Sequence, residues 1–153
     1  MTATFDAEIR HATFVRAPRD RVYDAFATSR GLDGWFTTGA TVDARPDGTM
    51  HWRWKDWGPD RVTAEDRARV LEARRPERFV FEWHGPRDPE RPSTVELDFE
   101  ERDGGTVVRL RERGYPDTPA GREAFADCAA GWGEALTLLK FYVEHGLRYE
   151  VPS

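Results

Sequence analysis

The sequence predicts an α+β fold: a curved antiparallel sheet wrapped around one long C-terminal helix, with a pocket between them. Three observations predict it. Between residues 40 and 113, short segments alternate apolar and polar side chains and are separated by Pro, Asp and Gly turn signals, as hairpins require. After residue 118 an apolar stripe recurs at helical spacing. A sheet with one apolar face must cover that face, and this helix is the only element large enough to do so.

Each element follows in order. Residues 8–16 read as a first strand, with Ile9 and His11 alternating against Arg10 and Ala12 before Phe14 and Val15. Pro18 suits the first position of a helix, where its missing N–H costs nothing. Val22, Tyr23 and Phe26 then recur at helical spacing up to Ser29. Gly31 and Gly34 break the chain into a short turn or second helix carrying Trp35 and Phe36. Residues 40–45 and 49–54 flank Pro46-Asp47-Gly48 as a hairpin, with Met50, Trp52 and Trp54 on one face. Residues 62–74 and 78–84 flank Arg75-Pro76-Glu77, and Phe79, Phe81 and Trp83 share a face. Residues 94–102 and 105–113 flank Asp103-Gly104, the clearest hairpin. Val95, Leu97 and Phe99 face inward on one strand, Thr106, Val108 and Leu110 on its partner. Thr118 can cap the last helix and Pro119 can open it. Its stripe is Phe125, Cys128, Trp132, Leu136, Leu139 and Val143, and Gly146 is its stop. The segments Lys55–Arg61 and Gly85–Pro92 read as mobile loops. No repeat or domain linker is visible, so residues 1–153 read as a single domain.

Composition narrows the function classes. A net charge of −5 and interspersed Arg, Glu and Asp argue against a nucleic-acid surface, which needs a basic face. The lone Cys128 permits no internal disulfide and suits a reducing compartment. The N-terminal residues carry no secretory pattern, and no apolar run reaches the roughly 20 residues that span a bilayer. The expectation is a cytoplasmic protein without membrane partners.

Four stretches carry a family resemblance: Ala17-Pro18 followed by RDRVYDAFATSRGLDGWF, RVLEARRPERFVFEW at 69–83, STVELDFEERDGGTVVRLRERGY at 93–115, and GWGEALTLLKFYVEHG at 131–146. In this order the chain resembles the activator of Hsp90 ATPase homologue 1-like (AHSA1-like) family. That family lies within the START-like, Bet v 1-like helix-grip superfamily (SRPBCC), which also holds pollen-allergen-type proteins and bacterial polyketide cyclases. The resemblance implies a seven-stranded sheet, a cavity lined by sheet and long helix, and often a hydrophobic ligand. Fold is shared more widely than activity.

The candidate site follows from the inward faces. Phe81, Trp83, Leu97, Phe99 and Leu110 should face the helix stripe at Trp132 and Leu136; each alone can be plain core, but a curved sheet and a straight helix leave a gap between them. Trp35, Phe36, Trp52, Trp54 and Trp132 are expected at its wall or rim, because Trp is seldom fully buried and its N–H seeks a partner. Counting alternately from Thr106 through Leu110 brings Glu112 inward, and Asp66 shares a phase with Ala64, Ala68 and Val70. Buried carboxylates are costly unless partnered and so mark sites; the alternative is that both reach water at frayed strand ends. His84, at a strand end, is a third acid–base candidate, or simply an exposed edge residue. Cys128 reads as buried packing, and Gly131-Trp132-Gly133 as close approach of helix to sheet. The histidines show no metal-ligand spacing, and no cofactor or metal is expected.

The leading functional expectation is a carrier or sensor of a small hydrophobic or aromatic molecule. One alternative is a polyketide cyclase- or aromatase-like enzyme using Glu112, Asp66 or His84. Another is a co-chaperone-like stress-response module binding a chaperone through its outer face or the loop around Trp57. Homodimerisation through a sheet edge is a further expectation.

Overall fold

In the computed structural model, which describes residues 3–4, 6–84 and 91–149, a single antiparallel sheet runs in the order β1-β7-β6-β5-β4-β3-β2. The elements are β1 (Ile9–Val15), α1 (Arg19–Ala27), α2 (Ser29–Trp35), β2 (Gly39–Val42), β3 (Thr49–Trp57), β4 (Val62–Arg74), β5 (Arg78–His84), β6 (Ser93–Arg102), β7 (Gly105–Arg113) and α3 (Pro119–His145).

Turn chemistry fixes the register. Asp103 and Gly104 take φ of 48° and 77°, the two left-handed residues of a tight hairpin, and Arg102 pairs with Gly105. From that pair the alternation carries Leu97 opposite Leu110 and Val95 opposite Glu112. The β4–β5 pairing shifts between Val70 and Glu72, an irregularity of the kind that bends a sheet.

Several boundaries differ from expectation. Pro18 is not the first helical residue of α1 but its N-cap, at φ −60° and ψ 150°; the helix begins at Arg19. β2 ends at Val42 because the turn begins early, with the Asp43 N–H donating to Thr49 O and Gly48 N–H to Arg45 O. β3 continues past Trp54 to Trp57 through a register shift in which Asp56 takes φ 52°. Three of the seven residues read as a loop at 55–61 are therefore strand, and Trp57 packs its ring on Tyr149 at 4.4 Å. Residues 85–90 of the second expected loop lie outside the described residues.

The helices place the core. Thr28 caps α2 by accepting from Gly31 N–H, and Thr118 caps α3 by accepting from Gly121 N–H. Gly146, at φ 68°, ends α3 after 27 residues. The stripe of α3 is buried only in its second half, at Trp132, Leu136, Leu139 and Val143, while Phe125 and Cys128 are half-buried. Cys128 is thus not the sealed packing residue expected. The Gly131-Trp132-Gly133 triplet works by halves. A Cβ on Gly133 would lie 3.4 Å from His11 Nε2 of β1, whereas one on Gly131 meets nothing within 4 Å.

Candidate functional site

The interior aromatic residues form two groups. Under α1 and α2, Tyr23 meets Phe79 and Phe99 edge-on at 5.6 and 5.4 Å, and Phe26 meets Phe99 and Trp35 at 5.6 and 5.0 Å. Toward the other end of the sheet, five rings converge on Phe36, the residue that closes α2. They are Trp35 (5.1 Å), Trp52 (5.3 Å), Trp54 (5.5 Å), Trp132 (5.7 Å, parallel) and Trp83 (6.4 Å). Trp52 also meets Phe81 at 5.4 Å and Trp83 at 5.2 Å, and Trp83 meets Trp132 at 5.9 Å. Phe36 occupies the middle of the expected pocket.

Glu112 sits at the foot of this cluster with no solvent exposure. Its register opposite Ile9 and Val95 holds it on the inner face. Trp132 Nε1–H donates to Oε1 at 2.8 Å, Ser93 Oγ–H donates to Oε2, and the Tyr115 hydroxyl also hydrogen-bonds the carboxyl group. Burial raises the carboxyl above its ordinary range, and the hydrogen bonds from Ser93, Trp132 and Tyr115 offset only part of that rise. Burial raises the Tyr115 phenol too, helped by the charge of Glu112 and by a hydrogen bond with Cys128.

Asp66 lies on the same face, 8% exposed and opposite Trp52 across β3 and β4. Trp83 Nε1–H donates to its Oδ2 at 2.9 Å. Burial raises this carboxyl as well, with the Trp83 bond pulling the other way. Two buried carboxylates are each held by an indole N–H, and those indoles, Trp83 and Trp132, touch. Ion pairing gathers instead on the outer face. There Glu96 meets Arg111 at 2.6 Å, Arg113 at 2.9 Å and Arg78 at 3.5 Å.

The structure thus brings together Glu112, Asp66, Phe36, Trp52, Trp54, Phe81, Trp83 and Trp132. Leu97, Leu110 and Leu136 are enclosed within 2% exposure. Trp35 and Phe99 belong largely to the helix end of the core, the Trp35 N–H donating to Ala25 O at 2.9 Å. His84 stands apart. It shares the outward phase of β5 with Glu82, whose Oε2 is 3.7 Å from its Nε2. Trp35, Trp52 and Trp132 are not rim residues, being 1–4% exposed; Phe36, Trp54 and Trp83 are the half-buried ones. The indoles lie inside because neighbouring rings cover them and most N–H groups find an internal acceptor. The Trp54 N–H donates to Phe36 O, for example.

Sequence reasoning missed Ser93 and Tyr115. Ser93 pairs with Trp83 at the start of β6 and so neighbours Glu112 diagonally. Tyr115 turns inward after Gly114, whose φ of 104° ends β7; that glycine was the available signal. Among the described residues, no group of three or more His, Cys, Asp or Glu side chains could hold a metal ion. No helix among them is long and apolar enough to cross a membrane. A recess of about 590 Å³ lies on the opposite side of the sheet, open to solvent beside Phe14, Arg16, Arg102, Asp103, Gly104 and Val107.

Solved structures share this architecture. The chain is 22% identical to the protein SSP2350 from Staphylococcus saprophyticus, over 95% of this chain and 98% of that one, with a TM-score of 0.75. It is 19% identical to an Aha1 protein from Colwellia psychrerythraea, solved as a dimer in solution, over 92% and 98%, with a TM-score of 0.75. DynU16, a protein of the dynemicin biosynthetic locus, is 20% identical over 95% of this chain and 51% of its own length, with a TM-score of 0.76. No curated protein matches the sequence. The profile of one family matches residues 16–144, nearly the whole of the helix-grip architecture described above, and the chain belongs to that family, the activator of Hsp90 ATPase homolog 1-like proteins.

Proposed function

We propose that this protein binds a small hydrophobic, aromatic molecule, as carrier or sensor, between the sheet and α3. The observation that carries this reading is the convergence of five rings on Phe36. Phe36 lies just past a seven-residue helix rather than inside a strand, so its ring can swing away without breaking a ladder. A planar guest entering there would exchange one set of edge-to-face contacts for another, each worth about 0.5–1.5 kcal/mol beyond area burial. The half-buried Trp54 and Trp83 border its path.

Thermal-shift titration against aromatic polyketides, flavonoids and fatty acids tests the reading. A ligand at about 100 times its Kd adds roughly 2.7 kcal/mol of stability. Stabilisation by planar aromatic compounds, reduced in Phe36→Trp, is expected; a panel without any stabilising member sinks the proposal.

An enzymatic reading draws on the Glu112 carboxyl, which burial raises above its ordinary range and which Trp132 and Ser93 hold in place, since a positioned carboxyl can serve as a general acid or base. Its test is Glu112→Gln, which should leave binding intact and abolish turnover of any substrate found. Equal turnover by variant and parent removes it.

A further inference from the structure

Four interior indoles have an internal acceptor: Trp35 on Ala25 O, Trp54 on Phe36 O, Trp83 on Asp66 and Trp132 on Glu112. Trp52 Nε1 has none, although the residue is 1% exposed. One other described side-chain atom is buried in the same condition, Asp66 Oδ1. The two residues are direct cross-strand partners on the inner face of β3 and β4. Side chains so paired leave the backbone about 5 Å apart. The second carboxylate oxygen is fixed by Trp83, whose ring lies 5.2 Å from that of Trp52. An orphaned donor and an orphaned acceptor thus belong to directly paired residues within a wall of rings. Leaving a buried polar group unpaired is costly, and two on neighbouring residues call for one shared partner.

We infer that this pair is the polar anchor of the binding site, and that it selects a guest carrying a hydroxyl on an aromatic body. A hydroxyl is the smallest group that fills both needs through one oxygen, donating to Asp66 Oδ1 while accepting from Trp52 Nε1–H. An ether or ketone serves only the indole and leaves the carboxylate bare; an ammonium, which only donates, leaves the indole N–H without an acceptor. The neighbouring rings of Phe36, Phe81 and Trp83 receive the planar body. A site built to bond a hydroxyl rejects the analogue lacking it, because the protein groups are then stranded. This inference rests on the binding function proposed above and adds the chemical class of the guest.

The test uses the intact chain and three probes of nearly equal size, 2-naphthol, 2-methoxynaphthalene and naphthalene, titrated calorimetrically. The parent should hold 2-naphthol about tenfold or more tighter than either of the others, the effect of one charge-assisted hydrogen bond. Trp52→Phe and Asp66→Asn should each erase that ratio, read as 2-naphthol against naphthalene within the same variant so that any change in ring packing cancels. An indole NMR spectrum of the parent supplies a readout that needs no folded variant of Asp66. On adding 2-naphthol, the Trp52 Nε1–H signal should move further than that of Trp35. Equal affinity for all three probes, or an unmoved Trp52 signal, overturns the anchor and assigns the pair to a trapped water, with the carrier function intact. Failure of every probe to bind overturns both.

Discussion

The indole N–H of Trp132, on the helix, donates to the carboxylate of Glu112, on the sheet, across 2.8 Å. It is a polar bond in the middle of the main apolar interface of the fold, and both partners are at least 96% enclosed. The layers are thereby joined at one defined point as well as by packing, and the bond has measurable consequences.

Removing the donor should be expensive. Trp132→Phe leaves Glu112 Oε1 short of a partner and should cost roughly 1–3 kcal/mol in urea unfolding beyond the packing lost. In a double-mutant cycle with Glu112→Leu the two costs should not add, with a coupling of about 0.5–3 kcal/mol. Additive costs would mean that the bond contributes nothing.

The pH dependence has a definite sign. Because burial raises the Glu112 carboxyl, the native state keeps a proton that the unfolded chain has already released in the window between the ordinary carboxylate range and the raised value. This contribution is complete below the unfolded pKa and is lost as pH rises through the folded one. Glu112→Gln should flatten that decline in a series of unfolding curves. A variant with the same slope as its parent contradicts the assignment.

Glu96 should behave in the opposite sense. Burial works to raise it, but the guanidinium groups of Arg113, Arg111 and Arg78 outweigh burial and leave it below the ordinary range. Its stabilisation is present above the unfolded pKa and is lost as pH falls through the folded one. Glu96→Gln should cost about 1–3 kcal/mol at neutral pH and almost nothing in strong acid. A constant difference across that range refutes the network's electrostatic role.

Two glycines make a contrasting pair. A Cβ on Gly34 would fall 2.3 Å from the Tyr142 ring, so Gly34→Ala should destabilise by about 1–3 kcal/mol. Gly131, inside α3 with nothing within 4 Å, should gain up to about 1 kcal/mol as Ala. Thermal melts of the two variants moving in the same direction would contradict the placement of α3.

The legible parts of the sequence were those governed by a period. β5 shows its inner face as Phe79, Phe81 and Trp83, and counting by twos from Leu110 reached Glu112 because no bulge interrupts β7. Counting failed where the backbone leaves its period. The turn of Asp56 into positive φ hid the last residues of β3. Phe36 follows the end of a helix, where neither a helical nor a strand period says which way a ring points. The partners of Glu112 arrive from three separate elements, which only the folded register brings together.

The strand order carries a consequence for how the chain assembles. From β2 to β7 each strand lies beside its neighbour in sequence, so these pairings form by closing short loops in succession. β1 is the exception, since Ile9 finds Glu112 and Val15 finds Thr106 across a stretch of chain that holds all the other strands. Loop-closure entropy and contact order place that union late in folding. During synthesis the first strand must wait, unpaired, until β7 has left the ribosome.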